Sequence, residues 1–195
     1  FFQAEDGIRA SVASRGLGDV YKRQTPNSPL KLEQGEFLGP RHFTFHPRLD
    51  VVYFTDEQGC SVTAYNLDTS TGTLSPFQTT TTLPDGLDGR NTCSQIQITP
   101  SGRFLYAPNR GHNSIAGFSV DASSGRLTAA GRVATESVPS AFSLDTEGRF
   151  LFAACSETGR LASFRINSDT GGLTAMETYA VGKRPMDVLI TNQGG

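Results

Sequence analysis

The chain has 195 residues, enough for one domain with a sizeable core, and its 17 basic and 19 acidic side chains leave a net charge of −2. That balance supplies no long-range field for nucleic acid or an anionic membrane, so neither is an expected partner. No apolar run approaches the roughly 18 residues a membrane helix needs. Three scattered cysteines, Cys60, Cys93 and Cys155, suit neither a disulfide framework nor a CxxC metal site. Their odd number fits a reducing compartment, which makes the cytoplasm the expected location.

Residues 1–24, FFQAEDGIRASVASRGLGDVYKRQ, open on Phe1 rather than Met and share no register with the chain that follows. Their tail, GLGDVYKRQ, resembles a translated sequencing adapter of the kind found ahead of truncated reading frames. The segment is therefore expected to stand outside the fold, as an artefact or a disordered leader. Residues 25–39, with LKLEQGEF, read as the outer strand of an earlier repeat.

From Phe43 onward the chain repeats itself. FTFHPRLDVVYFTDEQGCSVTAYNLDTSTGTL returns from Ile96 as IQITPSGRFLYAPNRGHNSIAGFSVDASSGRLT, and 46 residues later from Phe142 as FSLDTEGRFLFAACSETGRLASFRINSDTGGLT. The first offset is longer, at 53, and the additional residues fall in the TTTTLPDGLDGRN region. At Val188 the run VLITN begins a further unit, expected to contribute an inner strand. Short alternating apolar runs, 21 glycines at turn positions and no Trp give an all-β texture. A period of about 45 residues with four strands per unit is that of a β-propeller blade, whose small sheet must stack on its neighbours to bury its faces. The fold class is thus all-β: about three four-stranded antiparallel blades with a strand at each end.

In such a blade the first and third strands start, and the second and fourth end, at one face of the disc. The loops entering the inner strands, PRHF, CSQI, PSAF and PMDV, lie there nearest the central channel, with His42, Gln95, Ala141 and Asp187 at equivalent positions. The loop between second and third strands adds Asp56 and Glu57, then Asn109, Arg110 and His112, then Cys155, Ser156 and Glu157. The opposite face receives tight turns, including the one at His46 and Pro47.

Three of these stretches carry a family resemblance. GPRHFTFHP, ITPSGRFLYAPNRGHNSIAGF and YAVGKRPMDVLI resemble the lactonase family of seven-bladed propellers, which includes 6-phosphogluconolactonases and muconate-lactonizing enzymes. The likeness runs from Gly39 to Asn192 and implies that residues 25–195 are the C-terminal part of one seven-bladed lactonase propeller, an arc expected to be inactive and association-prone by itself. It implies hydrolysis of 6-phosphogluconolactone or another anionic sugar lactone. No His, Cys or carboxylate cluster has metal spacing and no Gly-rich segment precedes a helix as a phosphate loop must, so no metal and no cofactor are expected. His42 falls on the family's GPRH motif, and Asn109, Arg110 and His112 on its NRGH segment. The positions that carry Arg, an acid and Arg in the muconate-lactonizing pattern fall on Ser94, Arg110 and Ser156, which speaks against muconate cyclisation.

The expected catalytic residues are His42 and Arg110. His42 titrates near neutrality and suits a general base or an oxyanion donor; the alternative is a channel-mouth side chain tying two inner strands together. Arg110 suits a bidentate grip on phosphate or carboxylate, against the alternative of a solvated rim charge. Arg41, Asn109, His112, Arg184 and Asp187 are the expected substrate-binding residues. A noncatalytic propeller that binds a ligand or partner on its loop face is the competing reading, because this fold carries many functions. The two differ on whether His42 and Arg110 converge.

Overall fold

The computed structural model describes residues 32, 35, 38–87 and 89–191. The leader 1–24, and most of the segment expected to hold an earlier outer strand, lie outside the described residues. Twelve strands form three sheets, each four-stranded, antiparallel and in sequential order. The first blade holds β1 (Pro40–Phe45), β2 (Val51–Asp56), β3 (Ser61–Asp68) and β4 (Thr73–Thr81). The second holds β5 (Gln97–Ile98), β6 (Phe104–Asn109), β7 (Ser114–Val120) and β8 (Leu127–Ala134). The third holds β9 (Pro139–Leu144), β10 (Phe150–Cys155), β11 (Arg160–Ile166) and β12 (Leu173–Ala180). Among the described residues no helix is long and apolar enough to cross a membrane.

The outer hairpins are made by one device repeated three times. Asp68, Asp121 and Asn167 each turn a side-chain oxygen onto the N–H groups two and three residues ahead, at 2.8 to 3.3 Å. A glycine with φ near +70° then closes each turn, at Gly72, Gly125 and Gly171. Short polar side chains that mimic a backbone turn, followed by the residue that tolerates a left-handed φ, fix each hairpin locally.

Alternate residues of the middle strands face opposite neighbours, as the two-residue strand period requires. Val51, Tyr53, Val62 and Ala64 pack against Ile96, Leu105, Ala107 and Phe118 to form the first interface. Phe104, Tyr106 and Ile115 pack against Phe142, Leu151, Ala153 and Phe164 to form the second. Each large side chain fully buried in this way contributes about 1.5–3 kcal/mol, so the interfaces carry the fold. The outward faces are less covered: Phe43 and Phe45 at one end, and Met176, Tyr179 and Val181 at the other, are all exposed.

Two expectations change. The inner strand of the second blade shrinks to Gln97–Ile98, with an isolated bridge between Cys93 and Asn109 continuing its pairing. The side chains of Gln95 and Gln97 instead fasten the backbone of β9, at Phe142 and Leu144. The strand expected from Val188 does not form, and 181–191 contains no strand. An inner strand needs a second strand to receive its backbone donors, and the described residues offer VLI none.

Candidate active site

The β2–β3 turn of the first blade and the β6–β7 turn of the second meet at the rim of the loop face. Glu57 lies between them. One carboxylate oxygen, Oε2, stands 3.5 Å from Nε of Arg41, and the other, Oε1, accepts a short hydrogen bond from Nη2 of Arg110. Arg110 Nη2 also donates to the Cys93 carbonyl at 3.3 Å. All three side chains are only partly exposed, at 22–32%.

His42 shares this environment. Burial pushes its pKa below the ordinary imidazole value, and the Arg41 cation adds to the push. Glu57 opposes the shift, and Arg110 reinforces it. The ring is accordingly neutral at neutral pH, the state a general base requires. His42 is half-buried, and its backbone N–H meets Thr55 Oγ1 at 3.3 Å.

The other candidates lie differently. Asn109 is fully buried and its amide is consumed by the protein. Oδ1 accepts from Thr82 Oγ1 at 2.7 Å and from Asn91 Nδ2 at 3.1 Å, while Nδ2 donates to the Thr82 carbonyl and to Ser114 Oγ. It fastens the linker between the first two blades, and no polar group is left over for a ligand. His112 is half-buried with Nδ1 against Ser114 Oγ at 2.8 Å. Arg184 and Asp187 are exposed on the strandless stretch after β12, and Asp187 Oδ1 receives the N–H of its own neighbour Val188 at 2.8 Å. Among the described residues, no ion pair or hydrogen bond joins Arg184 or Asp187 to the His42 cluster. The left-handed φ of Arg184, 52°, has counterparts at Val138 (57°) and Gly39 (64°), each of which precedes the Pro that opens an inner-strand entry. The repeat imposes that turn.

Asn91 is a supporting residue that the repeat pattern does not reveal. Its Oδ1 accepts the N–H groups of both Gly111 and His112 at 2.9 Å, which holds the turn that presents Arg110. The contact explains the glycine in NRGH, since a Cβ at Gly111 would sit 2.2 Å from the Arg90 carbonyl. The only signal was the position of Asn91 in the longer linker, outside the repeat. At the second interface the places of Arg41 and Arg110 are taken by the neutral Ser94 and Ser156. Ser140 and Ser156 bond each other there at 2.7 Å, and Ser94 is buried with its hydroxyl on the Pro139 carbonyl. The cationic site therefore belongs to the junction of the first two blades.

A shallow cleft of about 460 Å³ opens on the opposite face between Leu49, Phe77 and Arg126, away from this chemistry. Among the described residues no cluster of His, Cys, Asp or Glu has the arrangement of a metal site.

Comparison with known proteins bears on the family and the fold. The family model described as lactonase, 7-bladed beta-propeller, matches residues 19–190. A 6-phosphogluconolactonase of Pectobacterium carotovorum is 36% identical over 152 residues, which cover 78% of this chain and 46% of the relative. The 6-phosphogluconolactonase of Erwinia tasmaniensis is 33% identical, covering 88% of this chain and 52% of the relative. The solved structure of the Pseudomonas aeruginosa periplasmic gluconolactonase PpgL superposes with a TM-score of 0.79 at 25% identity, covering 84% of this chain and 46% of that one. The chain thus spans about half the length of the curated relatives it matches. With the repeat, the three blades and the family match over 19–190, the chain belongs to the lactonase family of seven-bladed β-propellers.

Proposed function

We propose that the ring to which these blades belong is a lactone hydrolase acting on an anionic sugar lactone, 6-phosphogluconolactone being the substrate of first choice. The observation that carries this reading is that Arg110 and Arg41 meet on Glu57 at one junction of the loop face, within electrostatic reach of His42. A noncatalytic binding surface has no need of a neutral imidazole beside two guanidiniums, whereas hydrolysis uses both. Water attacks the ring carbonyl as neutral His42 takes its proton; the carbonyl oxygen becomes an oxyanion. Collapse reforms the carbonyl, breaks the ring C–O bond, and the proton returns from His42 to the leaving ring oxygen. Arg110 and Arg41 supply the positive charge that a phosphate or the oxyanion requires, and Arg110 is the catalytic candidate of the two. The names of the relatives support the choice of 6-phosphogluconolactone.

Muconate cyclisation is less favoured. At Ser94 and Ser156 the side chains are neutral hydroxyls already engaged with protein partners. We place the protein in the cytoplasm, in keeping with three buried free cysteines, one of which, Cys93, has its thiol pushed up to about 12 by burial.

The test is hydrolysis of 6-phosphogluconolactone by a complete seven-bladed protein carrying these blades. His42→Ala is expected to lower kcat by roughly 10²-fold or more, the usual scale of general acid–base help. Arg110→Ala is expected mainly to raise KM if it holds the ground-state phosphate. Unchanged turnover in both variants rejects the assignment.

A further inference from the structure

We propose that Glu57 is the positioning residue of this site, setting the two arginines of neighbouring blades against His42; the consequence for turnover rests on the hydrolase reading, while the geometry does not. Four contacts argue for it. The Glu57 N–H donates to the Gly39 carbonyl at 2.7 Å, at the entry to the strand that carries His42. Its own carbonyl accepts the N–H of Cys93 at 3.1 Å, at the corresponding entry of the second blade. Its side chain then takes Arg41 from the first blade on one oxygen and Arg110 from the second on the other. One residue therefore joins both entry loops by its main chain and both cations by its carboxylate.

The charges explain why a carboxylate is needed there. Two guanidiniums this close repel: burial lowers the pKa of Arg41, and Arg110 lowers it further. Glu57 neutralises one of the two positive charges and holds the pair together, leaving one in excess for an anionic ligand. It also fixes which edge of Arg110 is used. Nη2 is committed to Glu57 and Cys93, while Nε is buried and has no hydrogen-bond partner among the described residues. No other blade junction described has this arrangement: Glu57, Arg110 and Ser156 occupy one position of the repeat, and only Glu57 is acidic.

The charged groups that face His42 are Arg41 from β1, Glu57 from the β2–β3 turn and Arg110 from the β6–β7 turn. Glu57 alone among them favours the imidazolium. Removing its charge in Glu57→Gln is therefore expected to move the His42 titration further down, by roughly half a pH unit or more. The experiment is a proton NMR titration of the three histidines in the full chain, with His42→Gln identifying the signal. In the complete ring, Glu57→Gln is expected to lower kcat about tenfold or more with KM changed less than about threefold, as misplacement of catalytic groups does. Glu57→Asp keeps the charge and shortens the reach. It is expected to preserve the His42 titration and still lose turnover, and it serves alone if Glu57→Gln folds poorly. An unmoved His42 titration in Glu57→Gln, or undiminished kcat in either variant, overturns the proposal. If the wild-type ring hydrolyses no lactone, the hydrolase reading fails and the titration still decides the role of Glu57.

Discussion

The hydroxyl of Tyr106, a fully buried residue of β6, donates to the carbonyl of Gly171 at 2.8 Å, crossing from the second blade to the outer turn of the third. The same bond joins Tyr53 to Gly125 across the first interface at 2.7 Å. The two tyrosines hold one position of the repeat, and burial raises both phenol pKa values, so they remain protonated donors. Apolar packing is non-directional; these bonds give each interface its register.

Tyr106→Phe keeps the ring and leaves a buried carbonyl without its donor. The expected loss is about 1–2 kcal/mol in chemical denaturation, the cost of one unsatisfied buried acceptor. Turnover should not change, because Gly171 lies on the face opposite His42. An unaltered denaturation midpoint would show that water replaces the phenol there.

Asn109 separates support from substrate contact. Asn109→Ala strips the linker at Thr82 and Asn91 of several buried partners and is expected to cost about 3 kcal/mol. Below its melting temperature the variant should keep the KM of the wild type. A large rise in KM at unchanged stability would instead make Asn109 a substrate contact.

His46 gives the fold a pH dependence. Its Nδ1 accepts the N–H groups of Arg48 and Leu49 at 3.1 and 2.9 Å, so Nε2 carries the proton and donates to the Gly102 carbonyl at 3.2 Å. A second proton on Nδ1 breaks the turn, and burial depresses the pKa below the ordinary value of 6.5. The neutral ring is the folded form, so its contribution is complete above about pH 6.5 and is lost as pH falls through the lower folded value. His42 is depressed in the same sense and adds to the slope. Melting temperatures between pH 8 and pH 5 should fall for the wild type and fall less for His46→Asn, whose amide oxygen accepts the same two bonds without titrating. Parallel curves for the two proteins would reject this.

The blades were legible in the sequence because their causes are local. The two-residue alternation, the Asp or Asn that starts each outer turn and the glycine that ends it act within a few residues of one another, and a repeat displays them three times. The position of His42 and Arg110 on the loop face followed from strand direction. What remained hidden was whether a side chain faces a ligand or its own protein. Asn109 and Arg110 are adjacent in the NRGH segment, yet the strand period turns one into the blade interface and the other to the rim. The hub role of Glu57 was hidden for the same reason, since its partners come from a neighbouring blade 53 residues along the chain and from Arg41 on its own. The repeat period determined the architecture; only the contact between blades decided which charges meet, because that meeting is set by long-range packing that no local pattern encodes.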